Sequence, residues 1–167
     1  MTYVLDSNTL ITSYKYYYSQ EIAPHFWEHI SEWITKGTII VIDVVKNEIC
    51  RFEEDDFLKQ WVIDECSEYI FNTGEDGAVI KQWSDILNFI NVSSFYSDKA
   101  YRAWADDSIA DPWLIAFCAV QNATCVTFEQ PSTSQNKPKI PNFCSSFNVR
   151  CINLFEMMRE LGITLIK

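Results

Sequence analysis

A chain of 167 residues that is 48% hydrophobic and 15% aromatic can bury a sizeable core, which excludes a disordered protein and suits a single domain spanning residues 1–167. Its formal net charge of −10 works against a protein that coats nucleic acid, because non-specific affinity for a polyanion comes mainly from Lys and Arg. It does not exclude an acidic enzyme built around a divalent cation, since the ion inverts the local charge.

Part of the acidic excess is local, in the run Glu53-Glu54-Asp55-Asp56 and in Asp106-Asp107, each the pattern of a solvated helix start or surface turn. A basic, then apolar, then small-residue leader is missing before the first apolar stretch, and so is an apolar run of membrane-spanning length; the expectation is a soluble, cytoplasmic protein without a membrane partner. The six cysteines (Cys50, Cys66, Cys118, Cys125, Cys144 and Cys151) show no CxxC or CxH spacing and fall mostly in apolar segments, so they read as reduced core thiols.

Tyr3 to Leu5 is a short apolar strand that ends on Asp6. The tyrosine-rich stretch Thr12 to Gln20 reads as a turn and short helix with an aromatic face. Pro24 suits the first position of a helix that runs to about Thr35 and is closed by Gly37, with Phe26, Ile30, Trp33 and Ile34 as its apolar stripe. Thr38 to Ile42 is a β-branched run without polar alternation, a strand covered on both faces. Asp43 is the expected N-cap of a helix from Val44 to Phe52. Residues 55–72 read as one long amphipathic helix with Phe57, Leu58, Trp61, Val62 and Tyr69 inward, followed by helices over about 78–91 and 97–105. Asp111-Pro112 marks an N-cap and helix start, and that helix runs to about Asn122. Thr124 to Thr127 is a third strand, with Glu129 just beyond it. Gln130 to Pro141 is a long polar loop, Val149 to Ile152 a fourth strand, Phe155 to Leu161 a helix closed by Gly162, and Thr164 to Ile166 a candidate last strand. Alternating strands and helices predict a three-layer α/β/α fold with a mostly parallel sheet of four or five strands and a helical addition over residues 53–105.

Asp6 and Glu129 fall just beyond the ends of expected parallel strands, where ligands collect in open α/β sheets. Glu48 lies within the inward stripe of its helix, beside Val44, Val45, Ile49 and Phe52, where an unpaired carboxylate is costly. Asp111 opens the helix leading into the third strand. If the strands are parallel, all four acids meet at one sheet edge, and clustered carboxylates repel one another unless a cation lies among them. Hard oxygen ligands select Mg²⁺ or Mn²⁺, whose chemistry at such a site is phosphodiester hydrolysis by an activated water. The bland readings are an N-cap for Asp111, a turn cap for Asp6, an internal ion pair for Glu48 with a Lys or Arg of the middle helices, and a surface position for Glu129.

The blocks YVLDSN, VVKNEI, ADPWLIAF and VTFE resemble, in this order, the four acidic blocks of PIN-domain nucleases, and the KIP segment Lys139-Ile140-Pro141 resembles that of a subgroup related to the VapC toxins. The resemblance covers Tyr3 to about Leu161, loosely through the helical middle. It implies a PIN-like fold in which Asp6, Glu48 and Asp111 hold the metal with Glu129 at the fourth acidic position, where the toxins more often carry Asp; the longer side chain alters the ligand distance. It also implies supporting roles for Asn8 and Thr127, Mg²⁺- or Mn²⁺-dependent endoribonuclease activity, an RNA substrate, an antitoxin partner as for many small bacterial members, and a homodimer. For so acidic a chain RNA contacts have to be local; Lys99, Arg102, Lys137 and Lys139 are the candidate phosphate contacts, and Tyr14, Tyr16, Tyr17 and Tyr18 candidate stacking residues, against the plain reading of solvated lysines and packed aromatics.

Three other readings compete. His25-Phe26-Trp27-Glu28-His29 fits the H-x-x-E-H pattern of zinc peptidases, although no third ligand is marked. The string LDSNT resembles the DxDxT motif of haloacid dehalogenase-like phosphatases, but Asn8 replaces the general acid. The last is a non-catalytic PIN-like protein-binding module.

Overall fold

A computed structural model describes residues 1–51 and 56–165. The acidic run at Glu53, Glu54 and Asp55, the flank of Glu48 at Phe52 and the expected strand end at Ile166 lie outside the described residues. The fold is α/β: four parallel strands form one sheet, and helices pack on it as a three-layer α/β/α arrangement.

The sheet is built from β1 (Tyr3–Leu5), β2 (Ile39–Ile40), β3 (Thr124–Val126) and β4 (Cys151–Ile152), in the order β2-β1-β3-β4. Register pairs Tyr3 with Ile39 and Thr124, Leu5 with Val126, and Cys125 with Cys151. Val4, Leu5, Cys125 and Val126 are fully buried, as expected of a parallel sheet covered on both faces. The strand order reverses between β1 and β3, and the carboxyl ends of those two strands flank the crevice where α/β sheets bind ligands.

The first helix, α1 (Ser7–Thr12), starts directly from β1 and widens into a π-helical turn over Ser13–Tyr17. Next, α2 (Pro24–Thr35) buries Phe26, Trp27, Ile30 and Ile34 and ends at Gly37, whose φ of 68° only glycine adopts without strain. In α3 (Asp43–Arg51), Asp43 is the first helical residue and not the expected N-cap; its carboxylate accepts from the Thr73 backbone N–H and hydroxyl at 3.2 and 2.8 Å.

The expected helix over 55–72 is broken. Described helix runs as α4 (Asp56–Trp61), followed by a π-helical turn (Val62–Cys66), a 3₁₀ turn (Ser67–Tyr69) and a parallel bridge from Phe71 to Ile42. The π turn adds a residue to the helical repeat, which rotates Tyr69 out to 42% exposure instead of inward. Asp76 caps α5 (Gly77–Val92) through Ala78 and Val79, and α6 (Asp98–Trp104) follows.

The central helix is α7 (Ala110–Gln121), buried at every position from Pro112 to Cys118. It packs on α5, where Trp83 stacks on Trp113 at 4.7 Å. A further helix, α8 (Ile140–Ser146), begins on the last two residues of the expected loop and continues through residues 142–146, for which no element was expected, and α9 (Leu154–Glu160) opens on a capping box between Asn153 and Glu156. Thr164 and Leu165 form no strand, so the described sheet has four strands. No helix among the described residues is long and apolar enough to cross a membrane.

Candidate metal centre

Asp6 follows β1 without a linker, and its backbone N–H still donates to Val126 of β3 at 3.1 Å, which holds the residue against the sheet. Its side chain is 2% exposed. Thr127, just past the end of β3, donates its hydroxyl to Asp6 Oδ2 at 2.9 Å. The Asn8 backbone N–H approaches Oδ1 at 3.4 Å, so Asp6 is also the N-cap of α1. The cap does not exhaust the carboxylate, since this bond is long and leaves lone pairs free.

Glu48, half-buried on α3, has no Lys or Arg partner among the described residues. Oε2 accepts from the Ser7 hydroxyl, which also lies 3.5 Å from Asp6 Oδ1, and Oε1 accepts from the Ala110 backbone N–H at 3.3 Å. The carboxylate therefore caps the start of α7, where the exposed N–H groups and helix dipole favour negative charge.

Asp111 departs from its expected capping role. Ile109 is the N-cap, Asp111 is the second helical residue, and Pro112 is the third. No hydrogen-bond donor among the described residues satisfies the Asp111 carboxylate. Burial raises its pKa well above the ordinary carboxylate range, the charges of Asp6, Glu129 and Glu48 raise it further, and Lys139 offsets part of this. Asp6 is pushed up to about 7, chiefly by burial, with the Thr127 hydroxyl pulling it back and Glu129 and Glu48 adding to the rise.

Glu129, 13% exposed, turns both oxygens inward: one to Lys139 and one to the Ile140 backbone N–H at 3.0 Å, at the start of α8. Its own N–H donates to the Thr127 hydroxyl at 3.0 Å. Thr127 thus links two of the acids through one oxygen.

The four acids drawn from four distant segments share one neighbourhood at the β1–β3 crevice. Their oxygens stand apart, those of Asp6, Glu48 and Glu129 drawn towards protein donors: among the described residues the trio of Cys125, Cys144 and Cys151 is the set of His, Cys, Asp or Glu ligand atoms that all lie within 4.8 Å of one another. The acids nevertheless fit a hard cation by chemistry. They supply oxygen donors only, and the Asp111 carboxylate, without a donor of its own, is the group a cation would complete.

The supporting residues divide. Thr127 touches Asp6, but the Asn8 side chain turns to Thr12, whose hydroxyl donates to Asn8 Oδ1 at 3.1 Å; the side chain that joins Asp6 to Glu48 is Ser7. Of the candidate phosphate contacts, Lys139 reaches the cluster, whereas Lys99, Arg102 and Lys137 are exposed outside it. The loop carrying Lys137 is tied to the start of α6 by Ser97, whose N–H donates to Gln135 and hydroxyl to Asn136. Tyr17 is 51% exposed, and its ring lies 5.5 Å from Phe128, next to Thr127, and 5.4 Å from Phe155. Tyr16 is exposed without such neighbours among the described residues, and Tyr14 and Tyr18 pack on Trp27, Phe57 and Phe26.

His25 and His29 each turn to a glutamate three residues on, His25 to Glu28 at 2.6 Å and His29 to Glu32 at 3.9 Å. They do not converge on a third ligand among the described residues.

The reading of the cysteines as separate core thiols missed their clustering. All six are free, three of them meet between β3, α8 and β4, and Cys118 of α7 reaches Cys125 from the helix side. Spacing gave no signal, because the nearest two, Cys144 and Cys151, are seven residues apart and match no CxxC or CxH ligand pattern; the signal lies in the β3–β4 register, which a sequence does not display.

A family model described as a domain of unknown function, DUF4411, matches residues 3–165. No curated protein matches the chain.

Proposed function

The chain belongs to the DUF4411 family, and from the carboxylates at its β1–β3 crevice we propose that it is a divalent-metal-dependent endoribonuclease cleaving phosphodiester bonds with water. The observation that carries the proposal is Asp111: a carboxylate in the first turn of a buried helix, without a hydrogen-bond donor among the described residues, within range of the charges of Asp6, Glu48 and Glu129. Such a group destabilises the fold unless a ligand offsets it, and the ligand that suits oxygen donors alone is Mg²⁺ or Mn²⁺.

Asp6, Glu48 and Asp111 would hold the ion. When bound, the ion supplies a water of lowered pKa and positive charge opposite a phosphate oxygen. Thr127 fixes the Asp6 carboxylate by donating to Oδ2, and Ser7 fixes Glu48 by donating to Oε2, so both ligands are already ordered when the ion arrives. Glu129 stands at the rim with Lys139, where its carboxylate orients the attacking water and the Lys139 ammonium faces the phosphate. Tyr17, half-exposed beside Phe128, offers a ring for an unstacked base.

The choice of RNA rests on the resemblance of the four acidic blocks to PIN-domain nucleases and not on the geometry, which suits any phosphodiester. The test is cleavage of a fluorescently labelled single-stranded RNA in Mn²⁺ by the parent and by Asp111→Asn. Cleavage that stops with chelator and falls about a hundredfold or more in the variant supports the reading. Equal rates for both proteins, or cleavage indifferent to chelator, would remove it.

A further inference from the structure

Parallel register sets Cys125 of β3 beside Cys151 of β4, and side chains paired across neighbouring strands point to the same face of the sheet. The connection between those strands is α8, and it lays Cys144 over that face. One strand–helix–strand unit therefore delivers three sulfurs, all within 4.8 Å of one another. Sulfurs sharing a tetrahedral or trigonal ion at about 2.3 Å must lie roughly 4 Å apart, so the thiols already stand near the spacing that such an ion requires.

Core packing alone does not account for the whole arrangement. Cys66 is a buried cysteine outside the trio, as a small apolar residue would be. Cys125 and Cys144 are buried as well, but Cys151 is half-buried and lines an open cavity of about 500 Å³ with Thr127, Val149 and Ile152. The trio thus has a route to solvent. Its ligands are sulfur only, which selects against Mg²⁺ and Mn²⁺ and for thiophilic ions.

We propose that Cys125, Cys144 and Cys151 form a thiolate site for one thiophilic cation of the Zn²⁺ or Cu⁺ class, pinning α8 to β3 and β4. Each thiol gives up its proton to solvent as its sulfur ligates the ion, with no change of oxidation state. The site stands independently of the carboxylate cluster and of the nuclease reading. It adjoins that cluster through α8, whose first residue donates to Glu129, and through the cavity that Cys151 shares with Thr127 and Glu129.

The test is a titration of the full chain, kept reduced with a phosphine and first stripped with chelator. Co²⁺ serves as a stand-in for Zn²⁺, and competition with a chromophoric Cu⁺ chelator forms the second arm. A thiolate-to-cobalt charge-transfer band that saturates at one ion per chain, is bleached by Zn²⁺ and disappears in Cys151→Ser supports the site. Withdrawal of Cu⁺ by the parent but not by Cys151→Ser, without a cobalt band, supports it and assigns Cu⁺. A cobalt signal lacking the charge-transfer band, or one that persists in Cys151→Ser and vanishes in Asp6→Asn, overturns it. So does failure in both arms. If Cys151→Ser does not fold, alkylation of the parent decides: bound metal should slow modification of Cys151 by about tenfold or more, and an unchanged rate counts against the proposal.

Discussion

Replacing Asp6 with Asn should stabilise the metal-free protein at neutral pH, although it removes the most buried acid of the cluster. The folded-state pKa of Asp6 is raised from 3.8 to about 7. A carboxyl raised in this way contributes stability that is fully present below the unfolded value near 3.8 and is lost as pH rises through about 7. At about 1.4 kcal/mol per pH unit over that window, the parent loses roughly 4 kcal/mol from this group between about pH 3.5 and pH 7.5, whereas the Asp6→Asn variant loses none. The amide sacrifices part of the bonding with Thr127 and Asn8, about 1 kcal/mol, so the net gain at neutral pH is roughly 2–3 kcal/mol. Urea unfolding followed by the fluorescence of the six tryptophans, in chelator at a series of pH values, gives the difference between variant and parent. That difference cancels the pH dependence both proteins share, including the oppositely shifted Glu160. Adding Mn²⁺ near pH 7.5 should stabilise the parent and leave Asp6→Asn unmoved. A gap that stays flat from acid to neutral pH, or equal metal stabilisation of both proteins, would refute the argument that Asp6 is strained by burial and relieved by an ion.

Other perturbations report on neighbouring parts of the site. Thr127→Val strips Asp6 and the Glu129 N–H of a shared partner, and should cost about 1–3 kcal/mol in denaturant unfolding. A double-mutant cycle on Lys139→Met and Glu129→Gln should return a coupling of about 1 kcal/mol or more, above the value of a fully exposed ion pair, because Glu129 is largely shielded; a coupling near zero would mean the contact does not restrain the rim. Tyr17→Ala should weaken RNA binding by about 1–3 kcal/mol, read as a raised KM with kcat little changed, whereas Tyr16→Ala, without flanking rings, should change neither.

The parts of this fold that could be read in the sequence are those where local pattern and tertiary role coincide. The β1 run is apolar throughout and β3 carries one buried threonine, Thr124, before its apolar residues, because both faces of the sheet are covered. Pro24 and Gly37 bracket α2 by backbone chemistry that needs no tertiary context. Asp6 and Glu129 stand where a parallel strand ends, so their positions follow from the strands. Glu48 was marked by an acid in an apolar stripe, but its partners were not. They are a serine one residue past Asp6 and a backbone N–H of α7, neither of which carries a charge that pattern could reveal.

The failures have physical causes too. Apolar spacing continues smoothly through Trp61 and Val62, and nothing in it announces a π turn that changes the repeat. The short helix α8 begins on Ile140-Pro141 at the end of a polar loop and has only seven residues, too few to show a period. Asp111 followed by Pro112 copies an N-cap signal two residues late, because Ile109 and Ala110 are already committed to the helix start. Register between β3 and β4 decides that three distant cysteines meet, and register is fixed by packing across the whole sheet.

In the proposed function, Asp6, Glu48 and Asp111 come from distant segments to hold one divalent cation, with Glu129 beside them. Anomalous diffraction from a crystal of the full chain equilibrated with Mn²⁺ tests it most directly. The account predicts a manganese peak at the β1–β3 crevice, in contact with carboxylate oxygens of Asp6, Glu48 and Asp111. A crevice without a peak at saturating Mn²⁺, with Asp111 satisfied instead by a protein donor, would contradict it.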